Sequence, residues 1–412
     1  MKRFPAKGRH TSSGRNTDDI KDVDARAMAL LSAGHLFTDL NQGAVAALVP
    51  FLIAERGFSL TAAGSLVLAA TVSSSIVQPL FGHFSDNKPL PVLMPLGITS
   101  GGLGVALTGV APSYPLILLC IIFSGLGVAA FHPESARFAN YVSGSRRARG
   151  MSYFSVGGNA GVALGPVVTT PLVLYFGLPG TFFLALPAVL MSLVLSRELP
   201  RLLSFRPEFV RRVDGGKEGA GRSERWGPFV RMVGAVAMRS FVYFGLITFV
   251  AQYYIEVLGS SPALANVALS VMLFAGGAGT LFMGQLADRV GRRVVLAGSM
   301  LLLSPLIYGF TLSGPLTGVV LLALVGAATV GTFGVTVVMG QEYLPGRIGA
   351  AAGATMGLSI GLGGVGAPLF GALADSYGLP AMVLSLSTLP LVGLALALSL
   401  PADEGDYSHL DA

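Results

Sequence analysis

The stretch of sequence that decides the fold is residues 114–141, which read YPLILLCIIFSGLGVAAFHPESARFANY. It is long enough to cross a bilayer, for which a helix needs about 20 apolar residues. Yet His132, Glu134 and Arg137 lie within it, and a charge at membrane depth costs on the order of 2.5–3.5 kcal/mol. Such groups persist where they face a watery cavity, pair with one another, or handle ions and protons. The stretch therefore indicates a membrane span with a functional site.

Composition predicts that such spans recur along the chain. Of the 412 residues, 52% are hydrophobic and 12% are charged, with a mean hydropathy of +0.70, whereas a soluble domain has about 25% charged residues. So few polar side chains cannot cover a water-facing surface, and the sequence predicts an all-α membrane protein. Twelve apolar spans can be counted: 27–54, 60–83, 90–110, 114–141, 147–176, 179–199, 228–257, 261–286, 292–313, 315–344, 347–376 and 379–400.

These spans divide into two six-helix halves. The halves are residues 27–199 and 228–400, and the longest loop, 200–227, joins them. This loop carries seven Lys and Arg residues, whose charge keeps it out of the bilayer, so we interpret it as a cytoplasmic linker. A polar N-terminal arm, 1–26, and a tail, 401–412, complete the predicted organisation.

Positive charge predicts the orientation of the chain. Of the 27 Lys and Arg residues, only Arg56 falls in an odd-numbered loop, and most others fall in the N-terminal arm and the even-numbered loops. By the positive-inside rule, both termini are predicted to be cytoplasmic, in the inner membrane of a bacterium. The net charge of +6 then reflects topology and contact with anionic lipid headgroups, not a nucleic-acid partner.

Short motifs repeat between the two halves. The second span ends in Gly82-His83-Phe84-Ser85-Asp86, and the eighth ends in Gly284-Gln285-Leu286-Ala287-Asp288. The fifth and eleventh spans end in similar turns, Phe176-Gly177-Leu178-Pro179 and Tyr377-Gly378-Leu379-Pro380. An internal repeat across one linker is typical of secondary transporters that rock two pseudosymmetric halves about a central site.

A longer loop motif follows the eighth span, with the pattern Gly-x-x-x-Asp-Arg-x-Gly-Arg-Arg. Its members are Gly284, Asp288, Arg289, Gly291, Arg292 and Arg293. We expect Gly284 to end the helix where backbones come close, Asp288 to cap the next helix, and the paired arginines to lie at the anionic membrane face. The motif closely resembles the loop signature of the major facilitator superfamily. This resemblance covers nearly the whole chain and implies a conformational latch without substrate contact.

The first-half copy of this loop keeps Gly82 and Asp86 but lacks the second glycine and the paired arginines. Together with His35-x-x-x-Asp39-x-x-Gln42 and Phe131-His132-Pro133-Glu134-Ser135, it resembles the fosmidomycin-resistance branch of the superfamily. The resemblance implies a proton-coupled exporter of small toxic compounds, phosphonate antibiotics among them. Many drug–proton antiporters carry an arginine four residues before a glycine in the fourth span. Here that residue is Ile121, so their coupling does not carry over.

Asp39 and Glu134 are the leading candidates for proton carriers. Asp39 lies roughly 18 Å along the first span, close to mid-membrane. His35 is one turn shallower and shares a predicted layer with His132 and Glu134, so both histidines are candidates for the same proton-coupling site. The alternative is a set of locked pairs, Glu134–Arg137 or His35–Asp39, that only hold helices together.

Arg137 has two candidate partners. Glu134 lies one turn before it, and Asp86 ends the degraded loop at the same predicted membrane face. We expect the pair with Asp86, which groups Arg137 with Gly82 and Asp86 as gating residues.

Arg239 is the candidate anion-binding residue. It lies well inside the seventh span, the repeat partner of the first. It can either snorkel to the cytoplasm or hold an anionic substrate by two parallel hydrogen bonds. The matching part of the tenth span, 332–338, has no charge, which confines the predicted proton chemistry to the first half. Neutral polar residues are candidates for further substrate contacts: Gln42, Asn159, Tyr243, Gln252 and Tyr253.

Two other functions stay open at this point. One is import, in which the same residues serve proton symport of an organic acid or another small metabolite. The other is a membrane-embedded enzyme or lipid-handling protein, which needs a catalytic constellation that the sequence does not offer, so we predict no enzyme.

Several patterns are interpreted as structural. Gly361-x-Gly363-x-x-Gly366 and Gly357-x-Ser359-x-Gly361 mimic dinucleotide and hydrolase motifs, but no strand precedes them, so they indicate close helix packing. No phosphate-binding loop is found, so the proton gradient is expected to drive transport without a cofactor. Five scattered histidines argue against a metal site. The expected partners of this predicted monomer are protons, lipids and a small-molecule substrate.

Overall fold

The structure is a computed structural model that describes residues 22–78, 80, 81, 90–144, 146–205, 224–347, 351, 354, 355 and 359–402. Several predictions fall outside these residues. They concern most of the N-terminal arm, the loop with Gly82 and Asp86, residues 206–223 of the linker, Gly357, and the tail from residue 403.

In the part of the chain that the structure describes, the helical elements combine into twelve longer helices and one short 3₁₀ helix, Pro345–Arg347, and no strand is found. Nine of the described segments are long and apolar enough to cross a membrane. The predicted twelve-helix membrane fold is thereby confirmed. In chain order, the helices α1 to α12 are Ala25–Arg56, Leu60–Ile76, Leu93–Thr108, Tyr114–Val142, Arg147–Phe176, Leu178–Leu203, Trp226–Glu256, Pro262–Val290, Arg292–Thr311, Pro315–Tyr343, Ser359–Tyr377 and Leu379–Leu398.

Helix starts and turns repeat between the halves. Ser59 caps α2 and Ser261 caps α8, and each side chain accepts a hydrogen bond from the amide three residues further on, as N-cap residues do. Gly177 and Gly378 follow α5 and α11 with φ of +69° and +83°. A side chain is strained at such angles, so glycine recurs at both turns.

Two helices are irregular where the sequence predicts continuous spans. The last turn of α2, Val72–Ile76, is π-helical. Helix α10 is broken at Thr332, between Pro315–Gly331 and Phe333–Tyr343. Single π-turns inside helices are frequent at functional positions, and the break at Thr332 lies beside the buried Arg239.

Glycines bring pairs of helices into backbone contact. A Cβ on Gly161 of α5 would lie 2.2 Å from the carbonyl oxygen of Leu36 in α1. A Cβ on Gly371 of α11 would lie 2.5 Å from the carbonyl oxygen of Leu60 in α2. These distances leave room only for glycine. In the predicted glycine strings of α11, close packing is confirmed for Gly363 and Gly366, where a Cβ would lie 2.3 Å from Phe244 and 2.6 Å from Phe241, but not for Gly361, whose nearest neighbour would be 3.9 Å away.

The outer surface of the bundle suits a lipid environment. Large apolar side chains are exposed along several helices, including Leu119 (59% exposed), Leu316 (76%) and Leu369 (61%). A water-soluble monomer rarely exposes apolar surface on this scale, and such surface marks contact with another apolar phase. The protein is therefore a multi-pass membrane protein.

The loop between α8 and α9 departs from two expectations. Helix α8 continues past Gly284 to Val290, and a Cβ on Gly284 would meet nothing within 4 Å among the described residues. Helix α9 begins after Gly291 without a side-chain cap, so the predicted capping role of Asp288 is wrong. Gly291, with φ of +94°, ends α8 instead; Asp288 and Arg289 are exposed.

The paired arginines of this loop bind partners in their own half. Arg292 donates to Glu342 at the end of α10 over 2.7 Å. Arg293 donates to the carbonyl oxygen of Leu398 at the end of α12. The pair therefore ties the loop to the neighbouring helix ends, a contact that the sequence does not predict.

Candidate functional site

Asp39 lies between two imidazoles. Its Oδ2 is 3.1 Å from Nε2 of His35, one turn earlier on α1, and its Oδ1 is 3.2 Å from Nε2 of His132 on α4. The side chains of His35 and Asp39 are each 11% exposed, and that of His132 is 19% exposed. The two rings lie edge to face with centroids 5.0 Å apart. We call these three residues the Asp39 cluster.

The other ring nitrogens determine where protons can lie. His35 Nδ1 is 2.9 Å from the carbonyl oxygen of Phe154, and His132 Nδ1 is 2.8 Å from that of Val128. A carbonyl oxygen only accepts, so each Nδ1 carries a hydrogen, and a neutral ring then presents a bare Nε2 to Asp39. A bare nitrogen repels an ionised carboxylate. A hydrogen bond between Asp39 and either Nε2 therefore forms only when a proton lies between the two atoms. The cluster can hold two such protons, one in each of these gaps.

Helix α5 supports the cluster from one side. Phe154 stacks on His35 with ring centroids 4.2 Å apart. One turn further along, a Cβ on Gly158 would lie 2.5 Å from Nε2 of His35 and 2.8 Å from Oδ2 of Asp39. Only glycine leaves this space free. Gln42 completes the set by donating Nε2 to Oδ1 of Asp39 over 3.4 Å.

Glu134 does not join the Asp39 cluster. It is fully buried, and its Oε1 accepts from the backbone N–H of Leu90, just before α3, at 2.9 Å and from Arg137 at 3.3 Å. Its Oε2 has no hydrogen-bond partner among the described residues. Glu134 therefore braces the start of α3 against α4, which matches the locked-pair alternative. The predicted pair of Arg137 with Asp86 involves a residue outside the described ranges.

Arg239 is a buried cation on α7, only 3% exposed. Its Nη1 donates to Oγ1 of Thr332, at the break in α10, over 2.8 Å, and its guanidinium lies 5.8 Å from the ring centroid of Phe333. It does not snorkel to the membrane face. Across the described ranges, no carboxylate lies within ion-pair distance of it. Among the described residues only one hydrogen bond of the guanidinium is found, and a guanidinium has five N–H donors suited to an anion. Anion binding by Arg239 stays a prediction.

Two of the predicted substrate contacts lie where the halves meet. Tyr243, one turn from Arg239, is half-buried on α7, which packs against α1. Asn159 of α5 faces Gly277 of α8, where an added Cβ would lie 3.2 Å from Cβ of Asn159. Contact of these two side chains with substrate stays a prediction.

Two further predicted contacts lie elsewhere. Tyr253 is buried in the core of the second half, with its ring centroid 5.1 Å from that of Phe310 on α9. Gln252 donates to Glu256 one turn further along α7. The Oε1 of Gln252 is buried and has no hydrogen-bond partner among the described residues. Substrate contact by Gln252 and Tyr253 stays a prediction.

The Asp39 cluster also bears on the prediction that no metal is bound. Its two Nε2 atoms and one carboxylate oxygen lie within 4.8 Å of one another, a set that could hold a metal ion. The absence of a metal stays a prediction. The argument from scattered histidines fails for this pair, because packing of α1 against α4 brings together residues that are distant in sequence.

Three site residues are missed by sequence reasoning. Phe154 orients His35, Gly158 leaves space for the cluster, and Thr332 binds Arg239. The Gly157-Gly158 pair is a signal for one of them, but it also fits ordinary helix packing. No local pattern marks Thr332, since its role depends on a helix break.

The fold and the site together define a class of protein. Two six-helix halves span a membrane, and a buried carboxylate between two imidazoles lies on the first half. This arrangement is that of a membrane transporter with a small-molecule substrate.

Comparison with known proteins agrees with this class. Residues 31–259 and 232–410 match the family model of the Major Facilitator Superfamily. The chain therefore belongs to the major facilitator superfamily. It is 32% identical over 388 residues to the uncharacterized MFS-type transporter YfnC of Bacillus subtilis, covering 92% of this chain and 93% of the relative. It is 31% identical over 395 residues to the fosmidomycin resistance protein of Escherichia coli, covering 93% and 94%.

A solved structure supports the fold. The nucleoside transporter NupG superposes with a TM-score of 0.74 at 13% identity, covering 91% of this chain and 99% of that chain. The predicted superfamily fold and the resemblance to the fosmidomycin-resistance branch are both confirmed.

Proposed function

We propose that the protein is a proton-coupled secondary transporter that exports a small toxic compound by alternating access. The observation that carries this proposal is the carboxylate of Asp39, held 3.1 and 3.2 Å from two imidazoles whose other nitrogens are bound to backbone carbonyls. Such a cluster changes its charge by taking up protons. If it faces the two sides of the membrane in turn, a proton gradient can drive it.

The charge of the cluster follows from its proton count. With a proton in both gaps, two imidazolium rings and one carboxylate carry a net positive charge. With both gaps empty, the neutral rings and the carboxylate carry a net negative charge. Helix α7 of the second half packs against α1, so the second half can respond to this change. His35 and His132 are thus proton carriers together with Asp39, and Glu134 serves as a brace.

The direction of coupling depends on what the substrate offers. An anion held by Arg239 alone binds better when the cluster is positive, so anion and protons move in the same direction. Export driven by proton entry requires competition between substrate and protons. The exported substrate therefore has an anionic end for Arg239 and a hydrogen-bond donor or positive group that replaces protons at Asp39.

The same electrostatic argument favours a second candidate function when the substrate is a simple organic acid. Without a donor group it cannot compete for Asp39, and it would enter together with protons by symport. The two candidates use the same residues and differ only in the second group of the substrate.

The charge pattern supports an orientation. Arginines cluster at the face where α1 begins, and we place this face in the cytoplasm of a bacterium, with the protein acting as a monomer in the inner membrane. The described arginines at this face that bind carboxylates are Arg26, Arg146, Arg201, Arg292 and Arg347.

Vesicles of opposite orientation test this function. Labelled fosmidomycin is the first probe, because a relative of this chain is a fosmidomycin resistance protein. In everted vesicles with an acidic interior, the exporter accumulates the probe. Accumulation only in right-side-out vesicles with an acidic exterior indicates the importer instead.

Asp39→Asn tests the proton step. We expect gradient-driven accumulation to fall to background, while exchange of labelled for unlabelled probe without a gradient continues, because exchange requires no net proton movement. The control is Glu198→Gln, which removes a partly exposed carboxylate paired with Arg26 at the end of α6 and leaves both activities unchanged. Parent-level accumulation by Asp39→Asn would overturn the proton mechanism.

A further inference from the structure

Asp375, near the end of α11, binds the start of α2. Its Oδ1 accepts from the backbone N–H of Leu60 at 2.9 Å. Its Oδ2 accepts from the backbone N–H of Thr61 at 2.9 Å and from the Thr61 hydroxyl at 2.6 Å. One carboxylate thus satisfies three donors at a helix start, where the helix dipole also favours negative charge.

These hydrogen bonds join the two halves. Helix α2 belongs to the first half and α11 to the second, and they meet at the membrane face opposite the start of α1. Below the carboxylate the backbones touch, since a Cβ on Gly64 would lie 2.5 Å from the carbonyl oxygen of Ala367. Any motion that separates the halves at this distal face must break the contacts of Asp375.

Capping of α2 does not require Asp375. Ser59 already accepts a hydrogen bond from Ala62 at the start of this helix. The exposed Asp375 therefore adds a contact between halves to a helix that has a cap of its own. A residue needed only for helix stability would come from the same half.

Within the described ranges, the other seam between the halves lacks an equivalent contact. Helix α8 begins with Ser261-Pro262, so proline, which has no backbone N–H, stands at the position of Leu60. The repeat that superposes Gly177 on Gly378 puts Leu174 of α5 at the position of Asp375. Both the acceptor and the first donor are therefore missing from this seam.

We infer that Asp375 is a latch that holds the distal side of the transporter closed and must release before that side opens. This inference rests on the alternating access of the proposed function. The latch acts at one seam only, and full opening of the distal mouth requires α2 to leave α11. Loss of the latch shifts the population toward the form that is open to the distal side.

A cysteine at Ser270 reports this opening. Ser270 is 3% exposed and lies two turns from Gly277, which faces α5. Asn266, one turn away on α8, donates to the carbonyl oxygen of Ala47 in the first half. Ser270→Cys is introduced after Cys120→Ser, and a membrane-impermeant maleimide is applied from the distal face of intact cells. The reagent reaches the new thiol only when the halves separate.

Three variants weaken the latch to different degrees. Asp375→Ala removes the acceptor, and we expect labelling to become about tenfold faster, a factor within the range of a lost charge-assisted hydrogen bond. Leu60→Pro and Thr61→Val each remove one donor, and a smaller increase of about threefold is expected from each. Leu60→Pro preserves the helix start, because Ser59 (φ −67°, ψ 159°) already matches Ser261 (φ −67°, ψ 151°), which precedes proline.

Two controls separate latch release from unfolding. Ser299→Cys places a thiol in the core of the second half, where the parent serine is 2% exposed, and its labelling stays slow in every latch variant. Ser59→Ala removes the helix's own cap and leaves Ser270→Cys labelling unchanged. Parent-rate labelling of Ser270→Cys in both Asp375→Ala and Leu60→Pro would overturn the latch. Labelling requires neither substrate nor gradient, so this result is independent of whether transport is proton-coupled.

Discussion

The two halves carry different charges where their first and fourth helices meet. In the first half, the contact between α1 and α4 is a carboxylate beside imidazoles. In the second half, the contact between α7 and α10 is a guanidinium beside a hydroxyl and a phenyl ring.

The charge of the Asp39 cluster in the first half varies with its protonation, whereas the charge of Arg239 in the second half is fixed. In the register that superposes Ser59 on Ser261, Ala237 and Phe241 stand in the second half where the first half has His35 and Asp39, so α7 carries no acid–imidazole pair at this place. Its guanidinium stays protonated under all ordinary conditions. One half can therefore respond to a proton gradient, and the other presents a constant attraction for an anion.

Among the substitutions that test this difference between the halves, we expect the largest effect at Arg239. Arg239→Met keeps an unbranched side chain but removes the charge, and we expect accumulation of fosmidomycin in everted vesicles to fall by at least about a hundredfold, because a charge-assisted, bidentate contact is lost. Thermal unfolding of the purified protein shifts upward, because a buried cation without a carboxylate partner is removed.

Arg231→Met, two turns earlier on α7, is the matched control and leaves transport intact. Arg231 binds a carbonyl oxygen at the helix end and has no role at the site. A lower melting temperature for Arg239→Met, with transport retained, would assign Arg239 to folding instead of anion binding.

A methyl group at Gly158 tests the first half. Gly158→Ala puts Cβ 2.5 Å from His35 and separates the imidazole from Asp39. We expect gradient-driven accumulation to fall about tenfold, since overpacking of this kind costs about 1–3 kcal/mol. The repeat has Ser359 at this position of the second half, where no cluster has to fit.

Gly298→Ala serves as the control for this change, since nothing lies within 4 Å of a Cβ there among the described residues. If Gly158→Ala accumulates the probe as the parent does, the packing of α5 against the cluster has no role in transport.

Thr332 tests how the Arg239 guanidinium is oriented in the second half. Thr332→Val removes the hydroxyl that orients Arg239 while keeping the shape of the side chain. We expect the KM for the probe to rise about threefold to tenfold, the effect of one lost hydrogen bond to a charged group, with the maximal rate retained. Thr329→Val, one turn earlier and bonded within its own helix, should leave the KM unchanged. A change in maximal rate alone would point to the break in α10 as the cause.

The smallest effects are expected for ion pairs that recur at equivalent places in both halves. Arg146 binds Asp22 just before α1 over 3.6 Å, and Arg347 binds Glu224 just before α7 over 3.0 Å. Both pairs are largely exposed, so Arg146→Gln and Arg347→Gln should each lower the melting temperature by about one degree or less and leave transport unchanged. A large effect from only one of them would mean that the halves are fastened differently.

The second pair has a pH signature. The indole N–H of Trp226, and then Arg347, hold the pKa of Glu224 below its ordinary value of 4.5. A carboxylate with a lowered pKa stabilises the fold above the ordinary value, and this contribution is lost as the pH falls through the lowered one. The difference between the parent and Arg347→Gln should therefore vanish in acid, as measured by thermal unfolding.

The fold could be predicted because hydropathy and repeated turns are local signals. Asp39, His35 and His132 could be found for the same reason, since ionisable groups in apolar spans are conspicuous. The partner of His132 could not be found from depth alone. Residues two apart do not face each other on a helix, so a helix that turns His132 toward Asp39 directs Glu134 toward Leu90. The rotation of α4 depends on packing, which the sequence of one helix does not contain.

Gly158 has a consequence for the evolution of related chains. A Cβ at position 158 and the imidazole of His35 cannot occupy the same space, so residues 158 and 35 should covary. Lineages that gain a side chain on α5 should already have lost the histidine, and the reverse order should be rare. Aligned genomes that keep both a bulky residue and the histidine would show that the backbone can shift to accommodate them.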